Sequence, residues 1–225
     1  MTETDDTRPA KAAKPLLELG VAFAFLASGL LPGVDTYIVL LLGWLSLHLR
    51  RLDWGAVGLR RPSRFLRHVA VGLALGSLWA PLDIFVVEPM IARIVGQPLD
   101  LGRFEGVVGN LGNYILMLLI VWLLVAWGEE LTYRGYLLNR SADVLGRGRL
   151  GWTASLLLVS GVFGLAHAYQ RPSGIVTTGY VSFVLGVFYL VAGRNLWLPI
   201  LAHGAYDTVG LTLIFLGKYP GVGSE

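Results

Sequence analysis

Apolar residues run along this chain in blocks too long and too continuous to be one face of a soluble helix. Seven can be marked, at residues 15–31, 35–49, 69–92, 114–127, 150–169, 173–193 and 196–217. A helix rises about 1.5 Å per residue, so about 20 apolar residues cross the hydrocarbon of a bilayer. The pattern predicts an all-α polytopic membrane bundle of about seven transmembrane helices, within a range of six to eight. Helices are expected because each satisfies its own backbone where no water can. The fourth block should continue as helix through the polar stretch 128–140, for about 30 residues in all. The third is the weakest, since Pro81, Asp83, Glu88 and Pro89 interrupt it and predict a kink or partial exclusion from the bilayer. Pro32-Gly33 should turn the chain between the first two spans. Residues 1–14 are polar, acids first and bases later, unlike a secretory signal. They read as a disordered tail ahead of a single transmembrane domain at 15–217.

Composition sharpens this picture. Hydrophobic residues make up 55% of the 225 and charged residues only 15%, against about 25% charged in soluble domains. Between residues 150 and 217 the only formal charges are Arg171, Arg194 and Asp207. The net charge of +3 does not point to nucleic acid, because the basic residues cluster beside apolar blocks and form no continuous stripe. Residues 50–68 carry six arginines with Trp54 and Phe65 among them, which suits a segment at the headgroup level. With the amino terminus inside, basic residues divide thirteen to the cytoplasmic side and four to the other. The chain thus reads as a multi-pass protein of a prokaryotic cytoplasmic membrane, with lipid as its first partner. The absence of cysteine excludes disulfides, a Cys nucleophile and thiolate metal sites.

Against that background a few polar side chains need a reason. Ionisable groups at the centre of a bilayer cost at least about 2.5–3.5 kcal/mol, yet Glu129 and Glu130 follow the fourth block directly. On a helix the two point about 100° apart. Glu130 can pair with Arg134 one turn on, while Glu129 shares its face with Tyr133 and has no obvious partner. The fifth block carries Phe163 and His167, and the seventh carries His203 with Asp207 on one face. Each item alone has an ordinary explanation: a carboxylate pair at a helix end, a packed histidine, a structural hydrogen bond. Together, in order and in apolar helices, they resemble the motifs E-E-x-x-x-R, F-x-x-x-H and H-x-x-x-N/D of the CAAX protease and bacteriocin-processing (CPBP) membrane proteases, which include type II CAAX prenyl endopeptidases. The resemblance covers about residues 110–216.

The resemblance implies an intramembrane endopeptidase whose site comprises Glu129, Glu130, Arg134, His167, His203 and Asp207. Counted from the basic loop at 140–149, Glu129 lies about 16 Å into its helix and His167 about 25 Å, while His203 lies about 13 Å from Arg194. A shared cavity open to the cytoplasm is therefore expected. With no Cys, and no serine beside these histidines, water is the expected nucleophile. Glu129 would be its base, His167 would polarise it, His203 would stabilise the oxyanion, and Glu130 with Arg134 would brace the site. Where the family often has Asn this chain has Asp207, which cannot donate a hydrogen bond when ionised. It must be protonated or orient His203. No cofactor is favoured, because no H-E-x-x-H is present. Were zinc used, its ligands would be Glu129, Glu130, His167 and His203. The substrate expected is a peptide or protein, with prenylated or membrane-anchored chains among the options. Two other classes fit less of the pattern: a noncatalytic immunity factor or scaffold retaining the pocket, and a small transporter, for which no inverted repeat is visible.

Overall fold

In a computed structural model the chain is all-helical over the described residues, 8–31 and 33–222. Seven continuous helices match the seven apolar blocks: α1 (Arg8–Ala27), α2 (Asp35–Leu49), α3 (Phe65–Val95), α4 (Leu111–Leu145), α5 (Arg149–Ala166), α6 (Arg171–Val191) and α7 (Trp197–Phe215). Short 3-10 turns fill the loops at Trp54–Val57, Gly102–Val107 and Ala168–Gln170. Five helices, α3 to α7, are long and apolar enough to span a bilayer by length and composition, α6 together with the turn before it. The apolar α2 has 15 residues, about 22 Å of helix, so it is shorter than a full crossing. The molecule is an integral membrane bundle.

One expectation at the amino-terminal end changes. The tail placed at residues 1–14 is helical from Arg8, where alanine and lysine, both good helix formers, extend the first span backwards; residues 1–7 lie outside the described part. Of the expected Pro32-Gly33 turn, Pro32 also lies outside it, and Gly33 has a positive φ of 89°. The third block, expected to be the weakest, is one of the five full-length apolar helices. It passes its two acids by burying them and giving each a phenol: the Tyr206 hydroxyl donates to Asp83, and that of Tyr219 to Glu88 at 2.7 Å. A π-helical segment, Asp83–Val87, follows Pro81 and keeps the helix continuous.

Small residues set the packing. On α3, Gly72 and Gly76 face α7: a Cβ at Gly72 would stand 2.7 Å from that of Leu201, and one at Gly76 would overlap the Ala202 carbonyl. This spacing of two glycines four apart lets helix backbones approach closely in a membrane. Gly204 of α7 lies against the Trp122 ring of α4, and the Trp122 indole N–H donates to Thr208 Oγ1 at 3.0 Å. Helix α1 is tied in by Glu18, which accepts two 2.8 Å hydrogen bonds from Arg140 of α4 and one of 2.7 Å from Ser46 of α2. The result brings α7 across α4 at the level of the glutamates.

Candidate active site

The polar centre is built where α4 leaves regular α-geometry. Glu130–Leu138 is π-helical, a form that concentrates at functional sites because it frees backbone groups and re-aims side chains. The Asn139 amide covers part of that disruption by donating to the carbonyls of Arg134 and Gly135 at 2.9 and 3.0 Å. The expected ion pair is present: Arg134 Nη1 donates to Glu130 Oε1 at 2.9 Å, with both side chains essentially inaccessible, at 1% and 0%. Arg134 Nη2 also donates to the carbonyl and the hydroxyl of Ser182 on α6, at 2.6 and 3.0 Å. Its guanidinium lies 5.4 Å from the centre of the Phe163 ring on α5.

The link not anticipated is to α7. His203 Nδ1 donates to the same Glu130 Oε1 at 2.9 Å. Nε2 of that ring faces Asp207 Oδ2 at 3.5 Å and Glu129 Oε2 at 3.9 Å. Three carboxylates therefore surround one imidazole, and both ring nitrogens face acceptors. The expected His203–Asp207 neighbourhood holds, but the close hydrogen bond belongs to Glu130, which joins Arg134 and His203 through one oxygen.

His167 caps the end of α5. Its Nδ1 lies 2.8 Å from the Phe163 carbonyl; a carbonyl only accepts, so Nδ1 carries the proton and a neutral ring presents its lone pair at Nε2. The Phe163 ring stacks on the imidazole at 4.6 Å and meets Tyr133 edge-on at 4.6 Å. The phenylalanine four residues before the histidine thus holds it twice, by carbonyl and by ring.

A cavity of about 340 Å³ unites these groups. Glu129, His167, His203 and Asp207 line it, with Asp35, Tyr37, Glu88 and Tyr206 and an apolar wall that includes Ile84, Met117, Val121 and Leu211. Glu130 and Arg134 lie behind the wall. Glu129 is thus the glutamate that opens into the cavity, and Glu130 the one sealed by partners.

The lining comes from the first turn of α2, the stretch of α3 around Ile84 and Glu88, the last turn of α5, and the middle parts of α4, α6 and α7, together with Leu99, Leu101 and Phe104. The basic loops at residues 50–68 and 140–149 contribute none. Glu129, His167 and His203, whose depths were counted along separate helices, line one shared cavity.

Zinc is tested by the donor geometry. Among the described residues no group of three or more His, Asp or Glu side chains is arranged to hold a metal ion. The residues as placed do not fit a metal centre, and no step is assigned to one.

Sequence reasoning missed Ser182, Tyr37 and the phenol partners Tyr206 and Tyr219. Asp83 and Glu88 carried a signal, as acids inside an apolar block, but nothing in the local pattern named their partners.

Comparison with protein families matches residues 111–209 to the model described as type II CAAX prenyl endopeptidase Rce1-like. Comparison with curated proteins and with solved structures gives no match. The matched segment contains all three motifs, from Glu129 to Asp207, and every one of their ionisable residues lies in or directly behind the cavity. Over that segment the chain is similar to the type II CAAX prenyl endopeptidase Rce1-like family.

Proposed function

We propose that the protein is an endopeptidase that hydrolyses a peptide bond inside the bilayer with a water activated by Glu129 and His167. The observation that carries this reading is the convergence of Glu129, His167 and His203 from three helices onto one largely apolar cavity. In such a setting a carboxylate that shares the His203 ring with two others, at 3.9 Å from its Nε2, serves as a general base. The lone pair at His167 Nε2 accepts a hydrogen bond from the water and orients it. Water oxygen attacks the carbonyl carbon as its proton passes to Glu129, and the carbonyl becomes an oxyanion. Collapse restores the carbonyl, breaks the C–N bond and returns the proton from Glu129 to the leaving amine.

Glu130 and Arg134 are positioning residues. They fix the His203 ring from behind the wall and leave its Nε2 in the cavity. Asp207 orients that ring and is the wrong group to donate to an oxyanion while ionised. The apolar wall suits a membrane-anchored chain, and the description of the matched family directs attention to prenylated carboxyl-terminal peptides. With the basic loops in the cytoplasm, substrate meets Glu129 about 16 Å into its helix, near the middle of the bilayer.

The test is direct. Purified protein in proteoliposomes is given a farnesylated peptide ending in C-a-a-X and its unmodified twin, with products read by mass spectrometry. Cleavage at one defined bond supports the reading. Stoichiometric binding of both peptides without cleavage supports a noncatalytic protein that retains the fold.

A further inference from the structure

The next step rests on the proteolytic reading and concerns what that site still lacks. An oxyanion needs hydrogen-bond donors already in place, and removing one such donor typically costs about 10²–10³ in kcat. The motif residues supply few. Nε2 of His203 faces two carboxylates, and Asp207 stands where an amide would donate. His167 is engaged with the water.

The phenols around the cavity are mostly committed. Tyr206 donates to Asp83 and Tyr219 to Glu88; the Tyr169 hydroxyl has no hydrogen-bond partner among the described residues, but its ring lies under the Arg103 guanidinium at 4.0 Å in the turn after α5 and does not pack on the helix that carries Glu129. Tyr37 differs. The first turn of α2 is docked on α4: Thr132 Oγ1 donates to the Thr36 carbonyl at 3.3 Å, and Thr36 Oγ1 lies 3.5 Å from the Tyr133 hydroxyl. The Tyr37 ring rests on Gly128, the residue before Glu129. A Cβ there would stand 2.7 Å from Tyr37 Cε1 and 3.5 Å from Cζ, so only glycine admits the ring this close. Tyr37 lines the cavity, and its hydroxyl has no hydrogen-bond partner among the described residues.

We infer that Tyr37 is a further catalytic residue, whose hydroxyl donates a hydrogen bond to the oxyanion and replaces the donor that Asp207 cannot provide. The phenol keeps its proton throughout. As water oxygen bonds to the carbonyl carbon, the carbonyl π pair moves to oxygen and Tyr37 O–H binds that charge. The hydrogen bond weakens again when the C–N bond breaks and the amine takes the proton from Glu129.

The experiment is a double-mutant cycle in proteoliposomes with the farnesylated C-a-a-X peptide as probe, measuring kcat, KM and melting temperature. Tyr37→Phe should lower kcat by about 10²–10³, with KM within about twofold and the melting temperature unchanged. In an Asp207→Asn background the same change should cost less than about tenfold, because the amide now donates and the two sites are coupled. Gly128→Ala, which displaces the ring but keeps the hydroxyl, should lower kcat in the wild type and add little to Tyr37→Phe. Near-normal kcat in Tyr37→Phe, or an equal loss in both backgrounds, overturns the proposal. If Glu129→Gln is dead while Tyr37→Phe is active, only the role of Tyr37 falls. If the wild type leaves the probe uncut, or Glu129→Gln cleaves it normally, the peptidase reading falls and takes this proposal with it.

Discussion

Glu130 Oε1 and His203 Nδ1 are 2.9 Å apart although 73 residues separate them in sequence. The same oxygen holds Arg134 at 2.9 Å, so one buried carboxylate couples a turn of α4 to the histidine of α7. This makes Glu130 a structural centre. Breaking a buried pair by removing one charge costs about 3–5 kcal/mol, and His203 loses its anchor as well. Glu130→Gln should therefore lower the melting temperature in detergent and the yield of folded protein, with activity falling in step. A stable but inactive Glu130→Gln would mean that Glu130 acts on the reacting atoms.

The close approach of α3 and α7 depends on Gly76, where any Cβ overlaps the Ala202 backbone. Backbone cannot yield as a flexible side chain does, so Gly76→Val should cost about 1–3 kcal/mol or more through overpacking. Gly161→Ala, at a position with open space around it, serves as the control and should leave the melting temperature within error or slightly raised. Equal melting temperatures for the two variants would contradict the packing account.

The charge asymmetry predicts an orientation. Ser63 and Glu105 lie at opposite ends of the bundle and both are exposed, and the chain has no cysteine to give background. In intact cells an impermeant thiol reagent should label Glu105→Cys and spare Ser63→Cys until the membrane is opened. Labelling of Ser63→Cys from outside would invert the orientation.

Chelation should leave cleavage unchanged, and purified protein should bind zinc at well below one per chain. Activity lost on metal removal and restored by zinc would contradict the metal-free chemistry and require the cavity side chains to rearrange.

Much of this fold could be read from the sequence because bilayer thickness imposes a length on every apolar block. The boundaries of α5, α6 and α7 fall within three residues of those expected. Helical spacing was equally sufficient for Glu130 and Arg134, neighbours on one helix. It could not reveal Glu130–His203, Arg134–Ser182 or Tyr37 on Gly128, which depend on how separate helices dock. Nor could it name the full cavity lining, since the one-dimensional pattern records depth but not which helices meet. Asp83 shows the same limit: its cost was visible, whereas its phenol partner lies 123 residues away.

The central claim is that Glu129, facing the cavity, is the general base. Glu129→Gln preserves size and packing and removes basicity, so the measurement is its cleavage rate beside the wild type, on protein shown to melt at the same temperature. The account predicts a loss of about 10²–10⁴ in kcat with peptide binding retained. A folded Glu129→Gln protein that cleaves at a rate close to wild type would contradict it.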